Sequence, residues 1–373
     1  MIYTGGGKTR CGTMAYEALN KPRTLVVTSR VPILDQWKKA LRGGNVQYAC
    51  IQSAYKIKGN FDLVIIDEVH RALSPKYRAI FANVNAKNLM CLTATLPNEE
   101  EYVDFLTKTC PVIYEKKIKD ALEEDMVPQF ELYNLPVPIH KSISGKYKMF
   151  DAKFTQAMIK LTRILIDNPK LRSKYKNVFE LAQAAQWNTF DKETQGLCKS
   201  YWAGMTMRKQ LVYSNPAKLA YIREVINVMG RDRKWIIFTK SIAFAKAVQE
   251  YLGGTALYHS KMKPIEKELQ LLAFEQGQFN IMVAVDALNE GINVTGVDAA
   301  ICAAGVSTEL SFTQQQGRIL RPEKGKKDPI FVNLYTDGTV ERTWVEKKLK
   351  ASGLKSTWLK STKELPRQAL ISL

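Results

Sequence analysis

Histidine is scarce in this chain. There are three in 373 residues, His70, His140 and His259, and at such separations they build no metal site among themselves. The six cysteines contain no C-x-x-C pair, which argues against a zinc ribbon or a thioredoxin-like redox motif and for reduced thiols in an intracellular protein. No apolar run approaches the roughly 18 residues that mark a membrane-spanning helix. The N-terminus lacks the basic, apolar, small-residue order of a secretory signal. Low-complexity tracts and short-period repeats are absent too. Acid is in short supply: 36 Asp and Glu face 55 Lys and Arg, a formal charge of +19. Solubility needs no such excess, so the charge points to a polyanion, with nucleic acid favoured over an acidic membrane surface.

Hydrophobic residues make up 46% of the chain and aromatics 10%, enough to bury sizeable cores, and the length suits two domains. From Thr24 to Cys110, short apolar runs ("TLVVT", "FDLVIID", "NLMCLTAT") alternate with helical spacing ("VPILDQWKKALRGG"). The same rhythm returns from Lys234 with "KWIIFT", "SIAFAKAVQEYLGG", "TALYHS", "PIEKELQLLAFEQG", "FNIMVAV", "DAAICAA" and "PIFVNLY". Strands alternating with helices predict an α/β protein with parallel sheets covered on both faces. The middle, with Phe154, Met158, Leu161 and Leu165 at helical spacing, reads as a helical insertion. The expected division is a first α/β domain over 1–115, a linker strand and helical insertion over 116–230, a second α/β domain over 231–345, and a basic C-terminal tail over 346–373 that frays.

Two short stretches carry chemistry. In "TGGGKT" the glycines free successive backbone N–H groups to converge on phosphate oxygens. Lys8 then reaches the β- and γ-phosphates and the Thr9 hydroxyl ligates Mg²⁺. A glycine-rich turn is the plain alternative. In "LVIIDEVH" a strand ends in two carboxylates: Asp67 to hold Mg²⁺ through water, Glu68 to orient and deprotonate an attacking water, and His70 to sense the γ-phosphate. An acidic turn after a core strand is its alternative. Far downstream, "QQQGRILRP" puts Gln314, Arg318 and Arg321 on one helix face, as arginine fingers or as a solvated basic helix.

Together, and in this order, these stretches make the chain resemble the superfamily 2 nucleic-acid helicases and translocases along nearly all its length. The XPB-like enzymes, the phage UvsW-like helicases and the ATPase subunits of restriction enzymes are the most similar branches. The resemblance implies two RecA-like parallel-sheet domains in tandem, of P-loop NTPase fold, with ATP and Mg²⁺ in the cleft between them. It places motif I at Thr4, Gly5, Gly6, Gly7, Lys8 and Thr9, and motif II at Asp67 to His70. "VVTSRVPILDQW" resembles motif Ia, with Ser29 and Arg30 on the nucleic-acid backbone, where Ser53 is also expected. "LTATLP" resembles motif III, with Thr93 and Thr95 coupling hydrolysis to movement. "IIFTKS" resembles motif IV, giving Thr239 and Lys240 to the strand. "VAVDALNEGINV" resembles motif V, with Asp286 and Asn293 on nucleic acid and Glu290 and Gly291 near the nucleotide. Motif VI is the stretch holding Gln314, Arg318 and Arg321.

The family has a strand, and often an adenine-reading glutamine motif, before motif I. Neither fits before Gly5, and Ile2 stands where the loop pattern wants Gly or Ala. A missing N-terminal piece is expected in preference to a dead site. "DEVH" and "QQQGRILR" differ from the "DEAD" and "HRxGRxxR" of many RNA helicases, so single-stranded, forked or branched DNA is the expected partner, ahead of RNA and without a membrane. Oligomeric state is open between monomer and assembly. The compact motor suits a phage and the cytoplasm of a bacterial or infected cell, with the nucleus open. In the insertion, Trp187, Tyr201, Trp202, Arg208 and Lys209 are read as bundle core in preference to a duplex grip.

Overall fold

Runs such as Leu25–Val27 and Leu63–Ile66 have no polar face, so they are stable only where helices cover both sides of the sheet. The computed structural model, which describes residues 1–3, 5–41, 45–97, 99–285, 296–304 and 328–366, shows that cover. The first sheet contains β1 (Thr24–Thr28), β2 (Val46–Cys50), β3 (Gly59–Asp67) and β4 (Val84–Leu92), all parallel, in the order β2-β1-β3-β4. Alternate residues go to opposite faces. Leu25, Val27, Val64 and Ile66 enter one cluster, and Val26, Leu63 and Ile65 join Trp37 and Tyr16 in another. The helices Lys8–Ala18 and Val31–Ala40 lie on the Trp37 side.

The second sheet has seven parallel strands in the order β11-β5-β10-β9-β6-β8-β7. These are β5 (Glu131–Val137), β6 (Trp235–Thr239), β7 (Ala256–Tyr258), β8 (Ile281–Val285), β9 (Ala299–Cys302), β10 (Ile330–Thr336) and β11 (Thr357–Trp358). It too is covered on both sides, with Trp235 and Ile237 facing one cluster and Ile236 and Phe238 the other. Among the described residues no helix is long and apolar enough to cross a membrane.

The domain limits differ from those read in the sequence. Glu131–Val137 is a full member of the second sheet, paired along its length with β10. Its Asn134 and Pro136 make it look like a linker. Pro136 is tolerated because β11 pairs only with Tyr133 and Asn134, leaving the rest of β5 an edge. The helix Lys218–Met229 packs Ile222, Val225 and Ile226 on the same sheet, so it belongs to the second lobe and not to the insertion. The tail is packed rather than frayed as far as residue 366: the helix Val340–Ser352 and β11 are followed by Leu359 and Leu365, both buried against the second sheet.

The insertion is an antiparallel pair of helices, Lys141–Asp167 and Lys192–Tyr213, with Pro169–Lys174 and Val178–Ala184 across one end. Gly204 lets the long helices touch; a Cβ there would stand 2.8 Å from the Phe154 Cβ and 2.9 Å from the Phe150 carbonyl oxygen. Tyr201 is buried, the Trp202 indole donates to the Ala182 carbonyl, and Arg208 lies over the Phe154 ring while pairing with Asp151. Lys209 lies against Trp344. Trp187 differs: it is 86% exposed.

The insertion is rooted by Asn215, whose side-chain nitrogen donates to the Pro138 carbonyl and the Thr336 hydroxyl while its oxygen accepts from the His140 and Ala217 amides. Beside it, Lys218 is fully buried. Its ammonium donates to the Val212 and Ala303 carbonyls and to both oxygens of Glu341, which in turn accepts from the Thr336 amide.

Candidate functional site

The loops that leave the C-terminal ends of parallel strands are where α/β proteins build their sites. At that edge of the first sheet three segments meet: the glycine loop before the helix Lys8–Ala18, the end of β3, and the turn after β4. Gly5 and Gly7 take left-handed φ values of 90° and 87°, which only glycine adopts freely. Gly7 caps the helix without any side-chain hydrogen bond, so the first N–H groups of that helix stay available to an anion. The loop is anchored below. The Ile2 amide donates to the Thr93 carbonyl and the Tyr3 amide to the Lys116 carbonyl, which wedges residues 1–3 between the end of β4 and Lys116. Ile2, read in the sequence as a departure from the loop pattern, is buried with Tyr3 against Ile118, Ala121 and Val127.

Lys8 points back across the loop, its Nζ 3.3 Å from Glu68 Oε1. Glu68 Oε2 lies 3.4 Å from His70 Nδ1, and the same His70 nitrogen is 3.0 Å from the Thr93 hydroxyl. That hydroxyl donates to the Thr95 carbonyl at 2.7 Å. Lys8, Glu68, His70, Thr93 and Thr95 thus form one chain of contacts. Glu68 holds a left-handed backbone at φ 52°, a costly conformation for a non-glycine residue and one that clusters at functional sites. It initiates the tight turn Val69–Ala72, which carries His70.

Asp67 ends β3 and is 5% exposed. Burial pushes its carboxyl above the usual range, the Glu68 charge adds to this, and Lys8 opposes both. Its two oxygens are claimed by the Glu68 amide at 2.9 Å and the Trp37 indole nitrogen at 3.0 Å. Burial lowers the His70 imidazole, against the pull of Glu68. Three buried polar atoms here have no hydrogen-bond partner: Glu68 Oε2, His70 Nε2 and the Thr95 hydroxyl oxygen. Such atoms are costly to bury unless a ligand completes them. Thr9, in the first turn of the helix, and Asp67 are the residues that fit a hydrated Mg²⁺.

Trp37 is the residue at this candidate site that sequence reasoning missed. Helical spacing marks it as core, and nothing in that spacing announces an indole N–H aimed at a carboxylate. Gly12 makes room for it, since a Cβ there would meet the Trp37 ring at 2.3 Å. Trp37→Phe keeps the packing and removes the donor. We expect ATP turnover to fall roughly tenfold, with a higher Mg²⁺ concentration needed for half-maximal rate, as supporting partners of metal ligands contribute on that scale. A Mg²⁺ titration of turnover that superimposes on the parent's would remove Trp37 from the site.

The residues expected on the nucleic acid are more scattered. Ser29 is buried at the end of β1, while Arg30 opens onto a surface cleft. Ser53 turns its hydroxyl to the Cys50 carbonyl within its own short helix. Thr239 is buried at the end of β6 with its hydroxyl toward the Ala284 carbonyl, which leaves Lys240, half-buried, nearer the surface. Thr4, Asp286, Glu290, Gly291, Asn293, Gln314, Arg318 and Arg321 lie outside the described residues.

Comparison with known proteins bears on family and fold. Residues 217–323 match the helicase conserved C-terminal domain, and residues 43–98 match the type III restriction enzyme, res subunit. The chain is 22% identical over 363 residues to the DNA 3'-5' translocase XPB2 of Sulfurisphaera tokodaii, spanning 91% of this chain and 78% of that protein. It is 28% identical over 119 residues to the DEAD-box ATP-dependent RNA helicase 9 of Oryza sativa subsp. japonica, which covers 31% of this chain and 19% of that one. In fold it superposes on the Hef helicase domain of Pyrococcus furiosus with a TM-score of 0.53 at 17% identity, covering 93% of this chain and 94% of that one. Two RecA-like lobes in tandem are therefore the architecture.

Proposed function

We propose that this chain, a superfamily 2 helicase of the DNA-directed kind, couples ATP hydrolysis to movement along DNA or to its unwinding. The observation that supports this most is the contact chain from Lys8 through Glu68 and His70 to Thr93. It joins the phosphate loop, the acidic strand end and the turn after β4 around three buried polar atoms that lack a hydrogen bond.

In the arrangement described, Lys8 and Glu68 neutralise each other. Phosphate oxygens arriving at the start of the helix Lys8–Ala18 draw Lys8 onto themselves, and Glu68 is then free to orient the attacking water and accept its proton. Asp67 and Thr9 would hold Mg²⁺, which when bound would supply positive charge against the phosphate oxygens. His70 stands between Glu68 and Thr93, so a change at Glu68 passes to the turn after β4. Gln314, Arg318 and Arg321 from the second lobe are proposed to complete the site when the lobes close on the nucleotide. The DNA preference rests on the similarity to XPB2 and on the "DEVH" and "QQQGRILR" forms of the motifs. The charge of +19 suits a phosphate-dominated grip with little base reading.

The test is steady-state ATP hydrolysis with single-stranded DNA, forked DNA and RNA at low and moderate salt. DNA is expected to stimulate turnover several-fold, the more so at low salt. Equal or greater stimulation by RNA would reverse the assignment of the track. No hydrolysis under any of these conditions would remove the motor function.

A further inference from the structure

Two cysteines meet beside the glycine loop, and the chemistry described so far does not use them. Cys91 lies in β4, the edge strand of the first sheet among the described residues. Cys110 follows the helix Glu100–Thr109, whose Leu106 packs in the same cluster as Leu89 and Cys91. The Cys110 sulfur rests against the outer edge of β4. It stands 3.8 Å from the Leu89 carbonyl oxygen and accepts hydrogen bonds from the Cys91 thiol and the Cys91 amide. Neither cysteine is in a disulfide, and both are half-buried. The pair is asymmetric. The hydrogen bond from the Cys91 thiol holds Cys110 well below the usual thiol range, against the effect of burial. The same bond, with burial, pushes the Cys91 thiol far above that range. Cys110 is thus the thiolate and Cys91 keeps its proton, the division between an attacking and a resolving thiol. What each cysteine is tied to gives the pair its place. Cys91 is two residues before Thr93, whose carbonyl holds the Ile2 amide. Cys110 begins the stretch that leads to Lys116, whose carbonyl holds the Tyr3 amide. These are the two walls between which residues 1–3 support the glycine loop.

We propose that Cys91 and Cys110 form a reversible disulfide, with a small disulfide of the glutathione type as oxidant, and that this bond draws together the two walls that support the glycine loop. The thiol chemistry stands on the pair itself; its effect on turnover rests on the motor reading above. In the first step the Cys110 sulfur attacks one sulfur of the small disulfide. A mixed disulfide forms and one small thiolate leaves. In the second step the Cys91 sulfur attacks the Cys110 sulfur, its proton passes to the departing groups, and the second small thiolate leaves. Two protein thiols are oxidised and one small disulfide is reduced to two thiols, so the exchange balances and an excess of reducing thiol reverses it. A covalent bond is shorter than the hydrogen-bonded contact it replaces. Cys110 and the stretch to Lys116 therefore shift toward β4, and the supports of Ile2 and Tyr3 shift with them.

The experiment incubates the full chain with oxidised glutathione, counts free thiols and maps its peptides without reduction. Two of the six thiols are expected to disappear together, with Cys91 and Cys110 recovered in one linked pair of peptides. Dithiothreitol should restore both. Cys91→Ser keeps the attacking thiol and should stop at a glutathione adduct on Cys110, whereas Cys110→Ser should leave Cys91 unmodified. ATP turnover of the parent should fall about tenfold on oxidation and recover on reduction, because displaced reacting groups cost rate steeply. The double variant Cys91→Ser with Cys110→Ser should turn over like the reduced parent and ignore the oxidant. An unchanged thiol count in the parent overturns the proposal. So does a bond from Cys110 to Cys11, which packs against Ile2 and Tyr3 from the helix Lys8–Ala18. A linked pair with unaltered turnover overturns the effect on the loop. If the reduced parent hydrolyses no ATP, the motor reading falls, and the peptide map still decides for or against the disulfide.

Discussion

Lys8→Ala and Glu68→Gln are each expected to lower nucleic-acid-stimulated ATP turnover about a thousandfold, near 4 kcal/mol of lost transition-state stabilisation. The two should differ in binding. Lys8→Ala removes the cation that meets the phosphates, so nucleotide affinity falls with turnover. Glu68→Gln keeps the shape, and the amide still reaches toward Lys8, so nucleotide binding should survive while hydrolysis stops. Phosphate release and a fluorescent-nucleotide titration separate the two. Turnover within a few-fold of the parent in either variant would show that the Lys8–Glu68 contact is a surface ion pair and no part of the chemistry. Such a pair would contribute about 0–1 kcal/mol. Its half-enclosed position and the unmet polar atoms around it argue for the larger effect.

The second large effect concerns stability. Lys218 and Glu341 are both fully buried, and the Lys218 ammonium makes four short contacts. Removing one partner leaves the other charge uncompensated, at a cost of roughly 3–5 kcal/mol. Lys218→Met should therefore lower the melting temperature of the second lobe by about 10 °C, on the scale of a lobe this size. Lys218→Met with Glu341→Leu should recover part of the loss, since an apolar pair no longer strands a charge. The recovery stays incomplete because the Val212 and Ala303 carbonyls and the Thr336 amide lose their partners. Circular dichroism melts of the three proteins give the comparison. A single variant melting within about 2 °C of the parent would mean that the network is slack.

That network also shows where reading the sequence stops. The strands of both sheets are legible because runs such as Leu25–Val27 and Trp235–Phe238 can be buried only in a covered sheet. The residues that meet at the first site are legible because glycine, lysine and paired carboxylates have few other uses in that order. Lys218 is not. It occupies a core position of an amphipathic helix, four residues before Ile222, and its acceptors come from Val212, Ala303 and Glu341, far apart along the chain. Trp37 is hidden for the opposite reason: it looks like the core residue that it is, and its second role depends on where one ring nitrogen points. β11 is only two residues long, and β5, interrupted by Asn134 and Pro136, reads as a linker strand until its pairing with β10 places it in the second sheet. The tail read as fraying is held by Leu359 and Leu365, two isolated apolar residues with no periodicity to flag them.

The order of strands in the second sheet also bears on how the chain is made. β5 leaves the ribosome early, yet its long pairing is with β10, about 200 residues later, and β11 closes its other side later still. At the usual rate of synthesis, roughly 5–20 residues per second, β5 waits about 10–40 s for its partner. The first sheet has no such delay: β1, β2, β3 and β4 all lie within residues 24–92 and can assemble as they emerge. The two lobes of one motor are thus born differently, the first by local pairing and the second by closure over long distance, which is the slow class of folding event. The helical hairpin between them, held mostly by its own neighbours, can form during the wait and carry β5 beside its root until the rest of the sheet arrives.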